Sequence, residues 1–234
     1  MAKQNDHELE EDRAIMEREQ PLRALICSGY DEFSCLEAYY RFRKLVFVDH
    51  EGWNLKHSTT LEFDQFDVAS TAFAMIFRGK DLVAGFRAIR TDQPYLVRDV
   101  FPKLATLRRL PSRRDAYEIS RFGTIPWIED RMGLARVTYG LMFAFARSRG
   151  AVCLVALADR TYERYLRTQG IRTLRYGPPQ VIGVSTGGRP IEGLVGEIPM
   201  NGDNFDRIST LINLTHSMEI DDASCLRRHS ALSA

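Results

Sequence analysis

Nine side chains between residues 43 and 121 are of the types that binding and proton-transfer sites use. Burying a charge costs free energy unless it meets a partner of opposite sign. A fold that draws these residues together therefore forms either an ion-pair cluster or a site, and the residue types alone leave both outcomes open. The residues are Arg43, Phe47, Trp53, Asp64, Asp67, Arg87, Glu118, Ser120 and Arg121.

The two aspartates of this set suit a cationic ligand. Paired carboxylates such as Asp64 and Asp67 can hold an ammonium or sulfonium group. They could equally hold the guanidinium groups of Arg43 and Arg87 in place, and the two interpretations are compatible. Trp53 could cover a cationic or purine ligand with its ring face, or it could be a plain hydrophobic anchor.

The end of the set lies on a predicted strand. In an ideal strand Glu118 and Ser120 point to one face and Arg121 points to the other. Glu118 and Arg121 can serve one site if a β-bulge turns one of them, and bulges are common beside active sites. A partly buried glutamate can accept a proton. The alternative is a structural salt-bridge cluster of Glu118, Arg121 and Arg87.

The elements that carry these residues follow from hydrophobic patterning and turn signals. Ser34 and Glu37 form a capping box that begins a helix. Residues 49–71 lack a long apolar period, which predicts a long loop. The order of elements predicts an α/β fold, a mixed twisted sheet flanked by helices. The predicted strands cover 22–27, 71–77, 82–90, 117–125, 151–158, 171–176 and 192–198, and the predicted helices cover 34–48, 133–149, 159–169 and 205–218, with a short helix near 99–101.

The chain of 234 residues suits one sizeable domain. Residues 1–20 are rich in charge and poor in large apolar side chains, so we expect a flexible N-terminal extension. The single domain is predicted at 21–200, and a C-terminal extension at 201–234.

Composition argues against several classes of protein. The net charge of +1 gives no global field that would attract nucleic acid. No segment approaches the ~20 apolar residues that span a bilayer, and the N-terminus lacks an apolar signal core. We therefore expect a cytoplasmic protein without stable membrane insertion. The four cysteines have no metal-ligand spacing, which predicts buried thiols and no metal site.

A phosphate cradle is one interpretation of the start of the 133–149 helix. Gly133 and free backbone N–H groups, with Arg131 and Arg136 nearby, could bind an anion, although most such helix starts bind nothing. Four further arginines lie in a predicted exposed connection, where they would be solvated or would suit an acidic protein partner. These are Arg108, Arg109, Arg113 and Arg114.

Taken in order, the set from Arg43 to Arg121 resembles the acyl-homoserine-lactone synthase (autoinducer synthase) family. The resemblance extends through 82–90, through 94–102 and through the Glu-x-Ser-Arg-Phe run that begins at Glu118. It covers roughly residues 25–200. Each piece is common by itself, whereas the whole set in this order is specific.

The resemblance implies an N-acetyltransferase-like fold and an acyltransferase. Such an enzyme would transfer an acyl group from acyl carrier protein to the amine of S-adenosylmethionine. The carboxylate would then close onto the γ-carbon, giving an N-acyl-L-homoserine lactone, a quorum-sensing signal, and methylthioadenosine. S-Adenosylmethionine would be a substrate, so no cofactor is expected. Some members of the family accept acyl-CoA, which leaves the donor class open.

The resemblance also implies residue roles. Glu118 would help to remove a proton from the amine, with Ser120 in the same catalytic set, and Arg121 would position Glu118 or the substrate carboxylate. The S-adenosylmethionine site and its lid would comprise Arg43, Phe47, Trp53, Asp64, Asp67 and Arg87. The acyl and pantetheine region would comprise Phe122, Gly133, Leu141, Phe145 and Ala156.

Two positions depart from the family pattern. Gly52 stands where members often have leucine, and Ala156 stands where many users of 3-oxo acyl chains have threonine, which favours other acyl groups. The main rival is an N-acetyltransferase of the same fold that uses acyl-CoA on another amine. It is disfavoured because Asp130 stands where such enzymes usually carry glutamine or arginine. A non-catalytic binding module is a third interpretation, disfavoured because every site position is intact.

Overall fold

The sheet carries the residues singled out above. The computed structural model describes residues 20–29 and 33–224, with the backbone alone for 33 and 34. Within those residues the strands are β1 (Leu22–Ser28), β2 (Ala72–Arg78), β3 (Asp81–Arg90), β4 (Ala116–Thr124), β5 (Cys153–Ala158), β6 (Leu174–Arg175), β7 (Gln180–Val184), β8 (Pro190–Pro199) and β9 (Glu219–Asp222). The α-helices are α1 (Phe33–Arg43), α2 (Leu96–Val100), α3 (Arg131–Ser148), α4 (Arg160–Thr168) and α5 (Phe205–Asn213). A π-helix (Lys44–His50) continues α1, and 3₁₀ turns lie at Pro102–Leu104 and Gly202–Asn204.

The strand order is β6-β8-β5-β4-β3-β2-β1-β9, with β7 paired to β8. The pairs β4–β5 and β1–β9 are parallel, and the other pairs are antiparallel. The β4–β5 ladder ends at the pair Ile119 and Ala156, although β4 continues to Thr124 and β5 to Ala158. The two central strands therefore leave an opening beyond that pair.

The predicted β-bulge is confirmed in β4. Gly85 of β3 pairs with Gly123, whereas Arg87 pairs with Ser120, so β4 contains one extra residue between the two pairs. Arg121 has a φ of +51°, a left-handed conformation that is unusual for a residue with a side chain. The bulge lets both Ser120 and Arg121 reach the same group of charges, although they are neighbours in sequence: Ser120 contacts Arg87, and Arg121 contacts Glu62 and Asp64.

Apolar side chains cover both faces of the sheet. One cluster joins the sheet to α3 and α5, and it includes Ile119, Phe145 and Ile208. On the opposite face, α1 and the π-helix contribute Tyr39 and Phe47, and a neighbouring cluster forms around Val97 of α2 and Val155 of β5.

Side-chain caps and a glycine mark the ends of α3 and α4. Asp130 caps α3 by accepting from the Gly133 N–H at 2.9 Å. Asp159 caps α4 by accepting from the N–H groups of Thr161 and Tyr162. Gly150, with φ +65°, follows the end of α3. The side chain of Ser34, the first residue of the predicted capping box, lies outside the described side chains.

Three predicted helix boundaries and the set of strands need correction. The last helix ends at Asn213, not at 218, because the chain turns there towards β9. The first helix runs to His50 because a π-helix extends it. The short helix lies at Leu96–Val100, just after Pro94, because Pro102 restricts the residue before it and ends the helix. The strands β7 and β9 carry weak strand patterns and were absent from the prediction.

The predicted C-terminal extension at 201–234 begins inside the packed region. Ile208 and Leu211 of α5 are buried against the sheet-covering cluster. Helix α5 lies so close to α3 that a Cβ at Gly140 would stand 2.4 Å from the Leu211 carbonyl oxygen. Packing therefore continues past the predicted boundary at residue 200. The rest of that extension (225–234) and 19 residues of the predicted N-terminal one (1–19) lie outside the described residues.

None of the helices in the described part of the chain is long and apolar enough to cross a membrane.

Candidate active site

Three arginines meet three carboxylates beneath the loop 51–71, called here the acidic loop. The arginines come from α1, from β3 and from the bulge of β4, and the carboxylates come from the acidic loop. Formal charges within the set cancel. The members are Arg43, Arg87 and Arg121 with Glu62, Asp64 and Asp67. We call this set the ion-pair cluster.

Arg43 anchors the acidic loop to α1. Its Nε atom donates to Glu62 at 2.6 Å, and its Nη1 atom donates to both oxygens of Asp67 at 2.7 and 2.8 Å. The side chain is fully buried, with the rings of Tyr39 and Tyr40 5.8 and 5.5 Å from the guanidinium carbon. Three charge-assisted hydrogen bonds compensate for this burial.

Arg87 and Arg121 hold the same loop from the sheet. Nη1 of Arg87 contacts Asp64 at 2.5 Å and Asp67 at 2.8 Å, and its Nε donates to the Ser120 hydroxyl at 3.0 Å. Arg121 donates to Glu62 through Nε and Nη2, at 3.0 and 2.9 Å, and to Asp64 at 3.1 Å.

The electrostatics keep the loop carboxylates ionised. Burial raises the pKa of Glu62, but the hydrogen bonds and charges of Arg121 and Arg43 outweigh burial and hold that pKa below its usual range. Asp64 shows the same balance, with Arg87 as the main opposing charge. Both carboxylates therefore remain acceptors at neutral pH.

The two predicted aspartates differ in access. The Asp67 side chain is 3% exposed and lies between Arg43 and Arg87, so its contacts are structural. The Asp64 side chain is 20% exposed. Asp64 is therefore the aspartate with an edge open to a ligand.

An aromatic pair borders the ion-pair cluster. Trp53 stacks on Phe47 at 5.1 Å between ring centroids, and the backbone N–H of Trp53 donates to the Phe47 carbonyl oxygen at 2.9 Å. The Phe47 ring lies 6.0 Å from the Arg121 guanidinium carbon. The predicted aromatic residues thus lie beside the predicted charges.

Glu118 lies apart from these ion pairs. Its side chain is fully buried, and its two oxygens accept from the backbone N–H groups of Val97 at 2.7 Å and Leu96 at 3.0 Å. Burial raises the pKa of Glu118 to about 7, against the lowering effects of these N–H groups and of Arg87. A carboxyl group with this pKa changes protonation state near neutral pH.

The predicted salt-bridge cluster of Glu118, Arg121 and Arg87 is wrong. Among the described residues no ion pair joins Glu118 to either arginine, and Arg121 pairs with Glu62 and Asp64 instead. Arg121 was expected to position either Glu118 or the substrate carboxylate; the first role is corrected for the same reason, and the second stays a prediction. Sequence reasoning missed Glu62. The signal that could have found it is that three buried arginines require three carboxylates, and Asp64 and Asp67 supply only two.

The residues predicted for the acyl group lie on the α3 side of the opening between β4 and β5. The rings of Phe122 and Tyr139 of α3 lie 4.5 Å apart between centroids, and Ala156 is the last residue of β5 that pairs with β4. Leu141 and Phe145 are buried in the core, with no solvent-exposed edge. Phe122 and Ala156 are therefore the members of this group that border the opening.

The Gly133 N–H already has an acceptor. The Asp130 carboxylate bonds to it, and a Cβ at Gly133 would stand 2.0 Å from Asp130 Oδ2. A phosphate could bind there only after this carboxylate moved, because the two anions repel each other. The phosphate role of Gly133 stays a prediction.

The predicted basic surface is largely paired internally. Arg108 lies 3.8 Å above the Tyr176 ring and bonds to Glu197 at 3.0 Å. Arg113 pairs with Asp115, and Arg114 lies 3.5 Å from Asp92. Arg109 is exposed.

A bulged central strand, a parallel β4–β5 pair that opens, and antiparallel flanking strands define an acyltransferase fold of the N-acetyltransferase type. Solved structures agree. The chain aligns with the CoA-dependent acyl-homoserine lactone synthase BjaI, solved with MTA, at a TM-score of 0.74 and 20% identity, covering 86% of this chain and 93% of that one. For the AHL synthase LasI the TM-score is 0.72 at 19% identity, covering 82% and 96%.

The family described as autoinducer synthase matches residues 30–188. This chain belongs to that family, and it is an acyltransferase. The acyl-homoserine-lactone synthase of Acinetobacter nosocomialis is 34% identical over an alignment of 152 residues that covers 61% of this chain and 82% of the relative. The enzyme of the same name from Acinetobacter baumannii is 31% identical over 155 residues, with the same coverage of 61% and 82%.

Proposed function

We propose that this chain is an acyl-homoserine-lactone synthase that uses S-adenosylmethionine and an acyl-carrier-protein thioester. The α-amine attacks the thioester carbonyl carbon, an amide bond forms, and the carbon–sulfur bond breaks to release the carrier thiol. The carboxylate oxygen then attacks the γ-carbon of the same substrate. The bond from that carbon to the sulfonium sulfur breaks, giving the lactone and neutral methylthioadenosine.

The observation that carries this proposal is the ion-pair cluster beneath the acidic loop. Asp64, the carboxylate with an open edge, supplies a negative charge for a sulfonium group. Trp53, stacked on the buried Phe47 ring, supplies an aromatic face at the border of the cluster, and such faces attract cations. Because all three arginines have partners within the cluster, the site presents no unpaired arginine charge that would repel a cationic substrate.

Glu118 is the proposed proton acceptor. With a pKa of about 7, a large share of its carboxyl group is ionised at neutral pH, so it can take the proton that the amine loses, directly or through one water. The hydrogen bonds from Leu96 and Val97 fix its orientation before substrate binds. Ser120 lies two residues further along β4 and is held by Arg87.

The start of α3 favours a carrier-protein donor over free acyl-CoA. Asp130 places a carboxylate at the helix start where a phosphate was expected. Acyl-CoA brings three phosphate groups, whereas the phosphopantetheine arm of a carrier protein brings one. Repulsion by Asp130 therefore penalises acyl-CoA more.

The experiment is a product assay on the purified full chain. We expect N-acyl homoserine lactone and methylthioadenosine in equal amounts by mass spectrometry, with kcat/KM at least about 10-fold higher for acyl carrier protein than for acyl-CoA of the same acyl group, as a difference of ~1.4 kcal/mol gives. Comparable values would contradict the donor assignment. An acylated amine other than S-adenosylmethionine, with no lactone, would favour the N-acetyltransferase alternative.

Replacing Trp53 by alanine is expected to raise KM for S-adenosylmethionine about 10-fold and to change kcat less than about threefold, since a ring that stacks on a bound cation contributes ~1–2 kcal/mol to binding. Initial rates at saturating donor measure both constants. The matched control is Trp127→Ala, because Trp127 is 63% exposed. Equal KM values for the two variants would exclude Trp53 from the binding site.

A further inference from the structure

The tip of the β7–β8 hairpin, residues 185–189, contacts the acidic loop near its start. The Thr186 N–H donates to the Gly52 carbonyl oxygen at 2.8 Å. Gly52 has a φ of +68°, and a Cβ there would stand 3.0 Å from Thr186 Oγ1. Glycine at position 52 therefore permits both the backbone conformation and the close approach.

This contact spans the wide end of the opening between β4 and β5. Gly52 follows the π-helix, whose Phe47 ring would stand 3.1 Å from a Cβ at Gly123, near the end of β4. Thr186 belongs to a hairpin that extends from β8, and β8 pairs with β5 as far as Ala158, the last residue of β5. The hydrogen bond consequently joins the β4 side to the β5 side beyond their last paired residues.

The hairpin tip is a closed turn. The Gly188 N–H donates to the Ser185 carbonyl oxygen at 2.9 Å, and the Arg189 N–H donates to the Ser185 hydroxyl at 3.1 Å. Ser185 is buried, whereas Thr186 is exposed. These bonds close the turn without using the Thr186 N–H, which bonds to the acidic loop instead.

We propose that the hairpin tip is a strap that holds the acidic loop over the acceptor substrate. Thr186 is a positioning residue, which acts through Gly52 on Trp53, the next residue of the loop. The proposal rests on the proposed function for the identity of the ligand. A closed strap retains S-adenosylmethionine and keeps water from the acyl thioester.

The turn geometry offers a substitution that removes one donor. Thr186 is the second residue of the four-residue turn that begins at Ser185, and its φ is not positive. Proline is favoured at this position of common turns. Thr186→Pro therefore keeps the turn and deletes the N–H that binds Gly52. Thr186→Ala keeps the N–H and is the matched control, because the Thr186 side chain is exposed.

We expect Thr186→Pro to raise KM for S-adenosylmethionine about fivefold, the effect of losing one hydrogen bond, with kcat within about twofold. Thr186→Ala should match the wild-type KM. Circular dichroism and thermal unfolding establish that each variant is folded. A folded Thr186→Pro variant with the wild-type KM would overturn the proposal.

A second measurement needs neither a variant nor turnover. Thr186 is exposed, so its amide should exchange with solvent rapidly unless the Gly52 carbonyl protects it. We expect measurable protection of this amide in the wild-type protein, increasing when S-adenosylmethionine alone is added. Absence of protection would overturn the strap even if lactone is made. Protection without lactone production would instead sustain the strap and contradict the proposed function.

Discussion

Replacing Glu118 by glutamine is expected to lower kcat about 100-fold or more, because loss of a positioned general base typically costs that much. KM for S-adenosylmethionine should change less than about threefold, since the ion-pair cluster that would bind this substrate does not include Glu118. Steady-state rates with a saturating thioester donor measure both constants. A kcat within threefold of the wild type would remove Glu118 from proton transfer.

The pH dependence of kcat tests the same role for Glu118. As pH rises through about 7, Glu118 loses its proton and becomes able to act as a base, so kcat should rise over that range in the wild type. The glutamine variant should lack this rise and keep a rise nearer pH ~8, from the substrate's own amine. A wild-type profile without an inflection near pH ~7 would contradict the assignment of the base.

The free energy of unfolding should fall with rising pH, whereas kcat should rise. Burial raises the pKa of Glu118 from 4.5 to about 7 in the folded chain, so between these values the folded state holds a proton that the unfolded state has lost. The contribution of Glu118 to the free energy of unfolding therefore falls as pH rises from about 4.5 to about 7, and it is constant above that range.

Replacing Glu62 by glutamine is the second change with a large expected effect. Glu62 accepts from Arg43 and from Arg121 and is 1% exposed. Its neutralisation leaves the buried cluster with three guanidinium groups and two carboxylates, Asp64 and Asp67. Breaking a buried pair in this way costs ~3–5 kcal/mol of unfolding free energy. Thermal unfolding followed by circular dichroism should show a melting temperature lower by about 10 °C.

The matched control is Glu37→Gln. Glu37 pairs with Arg41 on the outside of α1, one turn apart, and the Arg41 side chain is 55% exposed. Exposed pairs of this kind contribute ~0.3–0.5 kcal/mol, so its melting temperature should fall by no more than about 2 °C. Similar losses in the two variants would mean that the cluster around Glu62 is no more stabilising than a surface pair.

Elements with strong local signals could be predicted from the sequence. The helix α3 has a regular apolar stripe and a glycine at its end, and α4 begins at an aspartate that caps it. The bulge was predicted by a different route, on the condition that Glu118 and Arg121 serve one site; in the structure it directs Arg121 to Glu62 and Asp64, apart from Glu118. The charges of Glu118 and Arg121, and not a local turn signal, indicated the β-bulge in β4.

Other features depend on tertiary contacts. The strand β9 (Glu219–Asp222) has three acidic residues in four, and it is extended because β1 lies beside it. The acidic loop has no local pattern that indicates which carboxylates face inwards. Asp64 and Asp67 were predicted and Glu62 was not, because their burial depends on where Arg43, Arg87 and Arg121 converge.

The pairing of β9 with β1 has a consequence for biosynthesis. These strands are the last and the first of the described sheet, and they pair in parallel. Since β8 also arrives late and covers β5, two strand edges stay open while the ribosome makes the final third of the chain. Open edges of this kind recruit other chains. We therefore expect a nascent chain stalled before residue 190 to aggregate, even though its acidic loop and its arginines are already complete.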